Sequence, residues 1–439
     1  MARFKKNIPL FVYLNNKHVG CFEKKESGIV EFSYERTWLD WPYAIPVSLS
    51  LPLREEPFRG EVVSAVFENL LPDSQEIRRI LAQRMGAKGS DAYHLLSQIG
   101  RDCVGALQFL PPNELHLFEK APAIEGTPLD ELEIERLLKN LATTPLGVQK
   151  EGDFRISVAG AQEKTALLWM NHQWMRPHGT TPTTHIFKTQ IGHLPNGIDL
   201  SHSIENEYYC LKLLELFGLK TNQVDIKIFG QTKALVIERF DRLWTKDHRL
   251  LRLPQEDLCQ ALSVPPTLKY QNEGGPGMEQ ILQLLASSDA PTQDQATFLK
   301  AQILFWLIGA PDGHAKNFSI FLKPEGRFHL TPLYDVMTAQ PSLAKNQLDK
   351  KQLKMAMCVG LSRHYRFDEI TGRHFVETAL KGGMPLQLIQ ETICNILENA
   401  ETVFEKIENA LPAYFPQDIH AEVKAGVQKR LRRLESAVK

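Results

Sequence analysis

The chain has 439 residues, 43% of them hydrophobic and 23% charged, which is enough to bury large cores in two or three domains or lobes. A formal net charge of -1 excludes recruitment of nucleic acid by a global positive field, so any DNA contact must come from a local patch. The six cysteines lie far apart, with no zinc-ligand or redox spacing, the basic start lacks a secretory apolar stretch, and no run of about 18 apolar residues follows, so a soluble cytoplasmic protein with no membrane partner is expected.

Leu10 to Leu14, an Asn15-Asn16 turn, Val19 to Phe22 and Ile29 to Tyr34 alternate like strands and predict a small antiparallel sheet. Ser64 to Leu71 and Asp73 to Arg84 have helical spacing, the second with Asp73 or Ser74 as N-cap. Turn-rich stretches at Pro111-Pro112-Asn113 and from Ala121 to Pro128 mark a boundary. Phe154 to Val158, Thr165 to Trp169, His185 to Lys188 and Ala234 to Phe240 predict further strands, with one helix from Glu205 to Phe217 closed by Gly218. From about Leu258 the pattern is overwhelmingly helical, broken by a hairpin from Phe318 to Leu330 that turns at Pro324-Glu325-Gly326. Lys429, Arg430, Arg432 and Arg433 are expected on the solvated face of a terminal helix, and Asn272 to Gly277 is read as a flexible loop without chemistry.

The densest chemistry follows an apolar helix, Phe298 to Ala310, which runs into Pro311-Asp312-Gly313-His314-Ala315-Lys316-Asn317 and then a strand. Phosphoryl transfer needs a carboxylate for the acceptor hydroxyl and an amide oxygen for magnesium, and Asp312 and Asn317 have the five-residue spacing of such a loop. An ordinary helix-to-strand turn gives the same spacing, so the neighbours decide. Asp335, in Leu333-Tyr334-Asp335-Val336, is expected at a strand end as a second magnesium ligand. Lys188 shares a strand face with Ile186 and calls for an anionic partner, a snorkelling surface lysine being the plain alternative. Ile204, Tyr208, Leu211 and Leu214 form a helical stripe that includes Glu207, whereas Glu205 falls with Tyr209 and Lys212 and is expected outside. Glu207 is therefore the expected partner of Lys188, a solvated residue at the edge of the stripe being the plain alternative, and Glu205 a helix N-terminal charge.

The run Val158-Ala159-Gly160-Ala161-Gln162-Glu163-Lys164 is read either as a phosphate-binding loop or as a plain hairpin turn, and it is not a Walker A loop. Glu238-Arg239-Phe240 ends an apolar strand where a hinge would present backbone groups to adenine, although core packing explains Leu235 to Ile237. His314 is read as an acid or base, or as a structural histidine.

Phe154 to Thr165, Pro182 to Lys188, Arg252 to Asp257 and Asp312 to Ser319 together resemble the HipA family of serine/threonine-kinase toxins of toxin-antitoxin modules. Ser48 to Leu53 and Asn69 to Asp73 extend the resemblance over nearly the whole chain. It implies an α+β, bilobal protein-kinase-like fold, with an N-terminal mixed module at 1–112, a β-rich N-lobe at 113–241 and a helical C-lobe at 242–439. It implies ATP and magnesium (Mg2+) as cofactors, Asp312 as catalytic base, Asn317 and Asp335 as metal ligands, and Lys188 on phosphate. Val158 to Lys164, Glu238 to Phe240, His314 and Lys316 would line the nucleotide, and Ser157 would be autophosphorylated to switch the enzyme off. The implied partners are a HipB-like helix-turn-helix antitoxin dimer, operator DNA through that complex, and a translation protein, typically an aminoacyl-tRNA synthetase, as substrate. A small-molecule or lipid phosphotransferase and a non-catalytic co-repressor are the alternatives.

Overall fold

The structure is a computed structural model that describes residues 7–118, 124–141 and 164–437. Its contacts define two compact units: Met1–Thr189, Lys227–Thr267 and Ile320–Arg327 form the first, and Gln190–Ile226, Leu268–Ser319 and Phe328–Lys439 the second. This partition does not follow a linear division at 112 and 241. The chain leaves the first unit and returns to it twice.

In the first unit, strands Leu10–Leu14 and Lys17–Lys24 form a hairpin whose turn residues Asn15 and Asn16 both have positive φ, at 45° and 67°. Asparagine tolerates that conformation, and a two-residue turn of this hand matches the strand twist. The hairpin lies in a five-stranded sheet with Val30–Tyr34, Phe58–Arg59 and Leu107–Leu110. Phe22, Phe67 and Phe109 pack over it, with ring centroids 4.5 Å and 5.2 Å apart in successive pairs. The helix Gln75–Met85 begins at Ser74, whose hydroxyl accepts from the Ile77 amide.

A second sheet of this unit places His185–Lys188 between Thr232–Glu238 and Lys164–Met170, all antiparallel. One face, carrying Leu167, Phe187 and Val236, is packed with Ile134, Leu137 and Leu138 of the helix Glu131–Lys139. Alternation therefore turns Lys188 and Ile186 to the other face. Residues 241–264 fold back onto the N-terminal module. Glu256 accepts from the Leu49 amide, the Gln260 side-chain amide donates to the Val66 carbonyl, and Asn15 bonds Arg252 through both its side-chain atoms.

The second unit is predominantly helical, as the spacing beyond Leu258 predicts, with two antiparallel ribbons added among the described residues, Gly192–His193 with Asp199–Leu200 and Lys354–Val359 with His364–Arg366. Its central helix, Pro291–Ile308, is buried along most of its length because apolar residues occupy nearly every side from Phe298 onward. Proline sits at its first turn, and Gly309, at φ 76°, closes its end. In the terminal helix Gln417–Leu434, Arg430 departs from the expected solvated face. Its guanidinium donates to the Leu307 carbonyl and to Gln340, and burial pushes it down to about 10.

Candidate active site

The loop leaving the central helix is fastened mainly through its backbone. The Asp312 carbonyl accepts from the His314 amide at 2.9 Å and from Asn317 Nδ2 at 2.7 Å. Asn317 Nδ2 also reaches the Asp335 carbonyl at 3.5 Å, so one amide group ties together the two segments that carry Asp312 and Asp335. Its Oδ1 is not used in these bonds. Gln302, on the central helix, donates to the Gly313 carbonyl at 3.1 Å, and the Tyr334 hydroxyl donates to the Lys316 carbonyl at 2.9 Å. The loop thus presents the Asp312 side chain, about half exposed at 50%, from an otherwise immobilised backbone.

Asp335 lies in a loop with a left-handed backbone, φ 58°, where a strand end was expected. The conformation is sparsely populated for a residue with a β-carbon, and such outliers concentrate where structure holds a side chain for use. His314 is 3% exposed, and burial holds its imidazole below the usual histidine range although Asp312 acts in the opposite sense. Its ring meets Tyr270 edge-on at 5.0 Å, and Nδ1 has no hydrogen-bond partner among the described residues. These features fit a neutral, packed imidazole.

The helix Ser203–Leu216 corrects one expectation. Glu205 does not face outward: Glu205 and Glu207 are each 1% exposed, and Gln190 Nε2 donates to Glu205 at 2.8 Å. The helix is enclosed on all sides over its first two turns, with Tyr209 and Cys210 as buried as Ile204, so a single apolar stripe does not describe it. Between the two glutamates, Asn206 accepts from the Thr338 amide and donates to the Thr338 carbonyl, both at 2.8 Å. Thr338 in turn bonds the Ile308 carbonyl, so this helix, the Asp335 segment and the end of the central helix are joined. Sequence reasoning missed Asn206 and Tyr270, whose partners lie far away along the chain.

In the first unit, Lys164 and Lys188 are direct cross-strand partners, 3% and 4% exposed. Both therefore point to the face opposite Phe187. The cross-strand register thus sets two buried lysines side by side on one face of the sheet. At the end of Thr232–Glu238, the Arg239 amide donates to the Thr184 carbonyl and its guanidinium to Asp241, so Arg239 offers neither group to a ligand. The Glu238 side chain is exposed and Phe240 half-buried against Phe321. Ser157 and Val158 to Glu163 lie outside the described residues.

The two units define an α+β, protein-kinase-like fold: the chain superposes with a TM-score of 0.81 on HipA in a complex with HipB and operator DNA from Shewanella oneidensis MR-1, at 23% identity, covering 98% of this chain and 99% of that one. Residues 156–406 match the family model described as the HipA-like C-terminal domain, and residues 10–110 match the HipA N-terminal domain. The chain belongs to the HipA family. It is 34% identical over 410 residues to Putative kinase Y4mE of Sinorhizobium fredii, covering 92% of this chain and 93% of that protein. It is 28% identical over 312 residues to the serine/threonine-protein kinase toxin HipA of Shewanella oneidensis, covering 68% of each. Among the described residues, no helix is long and apolar enough to cross a membrane.

Proposed function

We propose that this chain is an ATP- and magnesium-dependent serine/threonine protein kinase, the toxin of a type II toxin-antitoxin pair. The observation that carries the reading is the Asn317 amide, which fastens the Asp312 and Asp335 segments together and leaves Oδ1 for a cation. An amide oxygen and a carboxylate are hard donors, and magnesium takes few such protein ligands beside phosphates and water. Asn317 and Asp335 would hold the ion, which would supply neutralisation of the charge developing in phosphoryl transfer.

Asp312 accepts the proton of the acceptor hydroxyl, and its immobilised backbone fixes where the side chain starts. Lys188, with Glu207 as its proposed counter-ion, and Lys164 bind phosphate oxygens. Their shared face and burial support that role. Since Arg239 is committed to Thr184 and Asp241, adenine would be read by the backbone of Glu238 and Phe240. Buried, neutral His314 shapes the loop in this scheme, and Lys316 approaches the nucleotide.

Family membership supports the rest of the proposal: a translation protein, typically an aminoacyl-tRNA synthetase, as acceptor in the cytoplasm; neutralisation by a HipB-like antitoxin dimer; operator DNA reached through that complex. The solved relative, a HipA bound together with HipB and operator DNA, favours this over a small-molecule acceptor. Phosphorylation of Ser157 would add charge beside the nucleotide phosphates and act as an off-switch.

The test uses magnesium and γ-labelled ATP. Wild-type protein is expected to transfer label and to carry phosphate on Ser157 by mass spectrometry, and Asp312→Gln to do neither while melting at the same temperature. Undiminished transfer by Asp312→Gln would sink the assignment.

A further inference from the structure

Among the described residues, the hydrogen bond to the Asp312 carboxylate comes from Tyr270, whose hydroxyl donates to Oδ1 at 2.5 Å. The other near neighbour, His314 Nε2, lies 3.6 Å from the same oxygen, beyond hydrogen-bond reach. The backbone of Asp312 is fixed but its side chain is half exposed, so Tyr270 decides where the carboxylate points.

Tyr270 is itself built into a rigid turn. Its carbonyl accepts from the amides of Glu273 and Gly275, at 3.0 Å and 2.9 Å. A β-carbon at Gly275 would lie 2.0 Å from the Leu268 carbonyl oxygen and 2.8 Å from that of Tyr270, so the turn closes only with glycine there. Gln271 accepts from the Cys358 amide at 2.7 Å, tying the turn to the ribbon Lys354–Val359. The Lys269 ammonium stands 5.4 Å from the Tyr270 ring centroid on one side, and His314 packs edge-on. The segment 272–277, without assigned chemistry in the sequence, is the mount for this hydroxyl.

We infer that Tyr270 is a positioning residue for phosphoryl transfer: it occupies Oδ1 of Asp312 and thereby turns Oδ2 toward the acceptor hydroxyl. The inference rests on the phosphotransfer reading of Asp312. With Oδ1 taken, one oxygen remains to accept a proton, and its direction is set. A carboxylate released from Tyr270 would sample other rotamers and spend part of its time misaligned.

The test measures label transfer from γ-labelled ATP and magnesium to a library of serine- and threonine-containing peptides, with Asp312→Gln in parallel. Tyr270→Phe keeps the ring against His314 and removes only the hydroxyl. We expect kcat to fall on the order of tenfold, the effect of losing one charge-assisted hydrogen bond, with KM for ATP and the melting temperature unchanged. A kcat equal to or above wild type would overturn the inference, an increase meaning that the tyrosine plugs the acceptor position. A fall in kcat matched by a lower melting temperature would also overturn it, making Tyr270 structural. Activity in Asp312→Gln would instead reject the phosphotransfer reading, whatever Tyr270→Phe does.

Discussion

At Gly313 the room for a side chain is already taken. A β-carbon there would stand 2.6 Å from Cδ2 of Phe305, a ring buried at the end of the central helix, and 3.5 Å from Gln302 Oε1. Phe305 cannot swing aside, so Gly313→Ala must displace the loop that aims Asp312. Overpacking of this kind costs roughly 1–3 kcal/mol. Urea unfolding should register that loss, and phosphate transfer should fall by more than the lost stability explains; unchanged transfer would mean the loop tolerates the shift. The residues that speak chemistry from the sequence are those whose meaning is local: Asp312 and Asn317 are five positions apart, and their bond is within the loop. Tyr270 and Asn206 stayed silent because each acts on a partner distant in the chain, Asp312 and Thr338. No periodicity encodes such bonds. Glu205 was misread for a related reason: spacing reports a helix's apolar side, not whether polar neighbours such as Gln190 enclose the other side.

Among the elements, the strand Gln255–Asp257 is unusual in carrying a wholly buried glutamate. Glu256 Oε1 accepts from the Leu49 amide, and Oε2 has no partner among the described residues. Burial pushes its carboxyl up to about 8, from 4.5. It is thus held neutral at pH values where the unfolded chain has already released its proton. The folded form binds more protons between those two values, so stability from this group is full below about 4.5 and is lost as pH rises to about 8. Denaturation midpoints should fall between pH 6 and 8, and Glu256→Gln should flatten that slope; an equal slope in both proteins would assign it to other groups. The strands and helices of this region were largely legible in alternation and spacing, down to the Ser74 cap and the Asn15-Asn16 turn. The helix Glu131–Lys139 and the ribbon Lys354–Val359 with His364–Arg366 were not, since short elements leave little periodicity to read.

For the molecule as a whole, the first unit is pinned by charges inside it. Asp102 accepts from Arg252 Nε at 2.8 Å, from Arg242 Nη2 at 3.0 Å and from the Thr183 hydroxyl at 2.9 Å, while Arg239 pairs with Asp241. All five charged groups are buried, and burial together with Arg239 pushes Arg242 down to about 10. Removing one carboxylate from three guanidiniums leaves charge without compensation. Asp102→Asn should cost roughly 3–5 kcal/mol and lower the melting temperature, and an unaltered melt would show that the arginines find other acceptors. That kinase-like architecture could be inferred from motif order, but this clasp could not, because its members are scattered from Asp102 to Arg252.

The same clasp sets physical units against units of descent. The two family models part the chain between 110 and 156, as though two cassettes had been joined. Cutting there would leave Asp102 in one fragment and Arg239, Arg242 and Arg252 in the other, each with a raw ionic surface where an interior had been. An exchange of N-terminal modules between relatives would therefore succeed only if the aspartate and its arginines travelled, or were re-created, together.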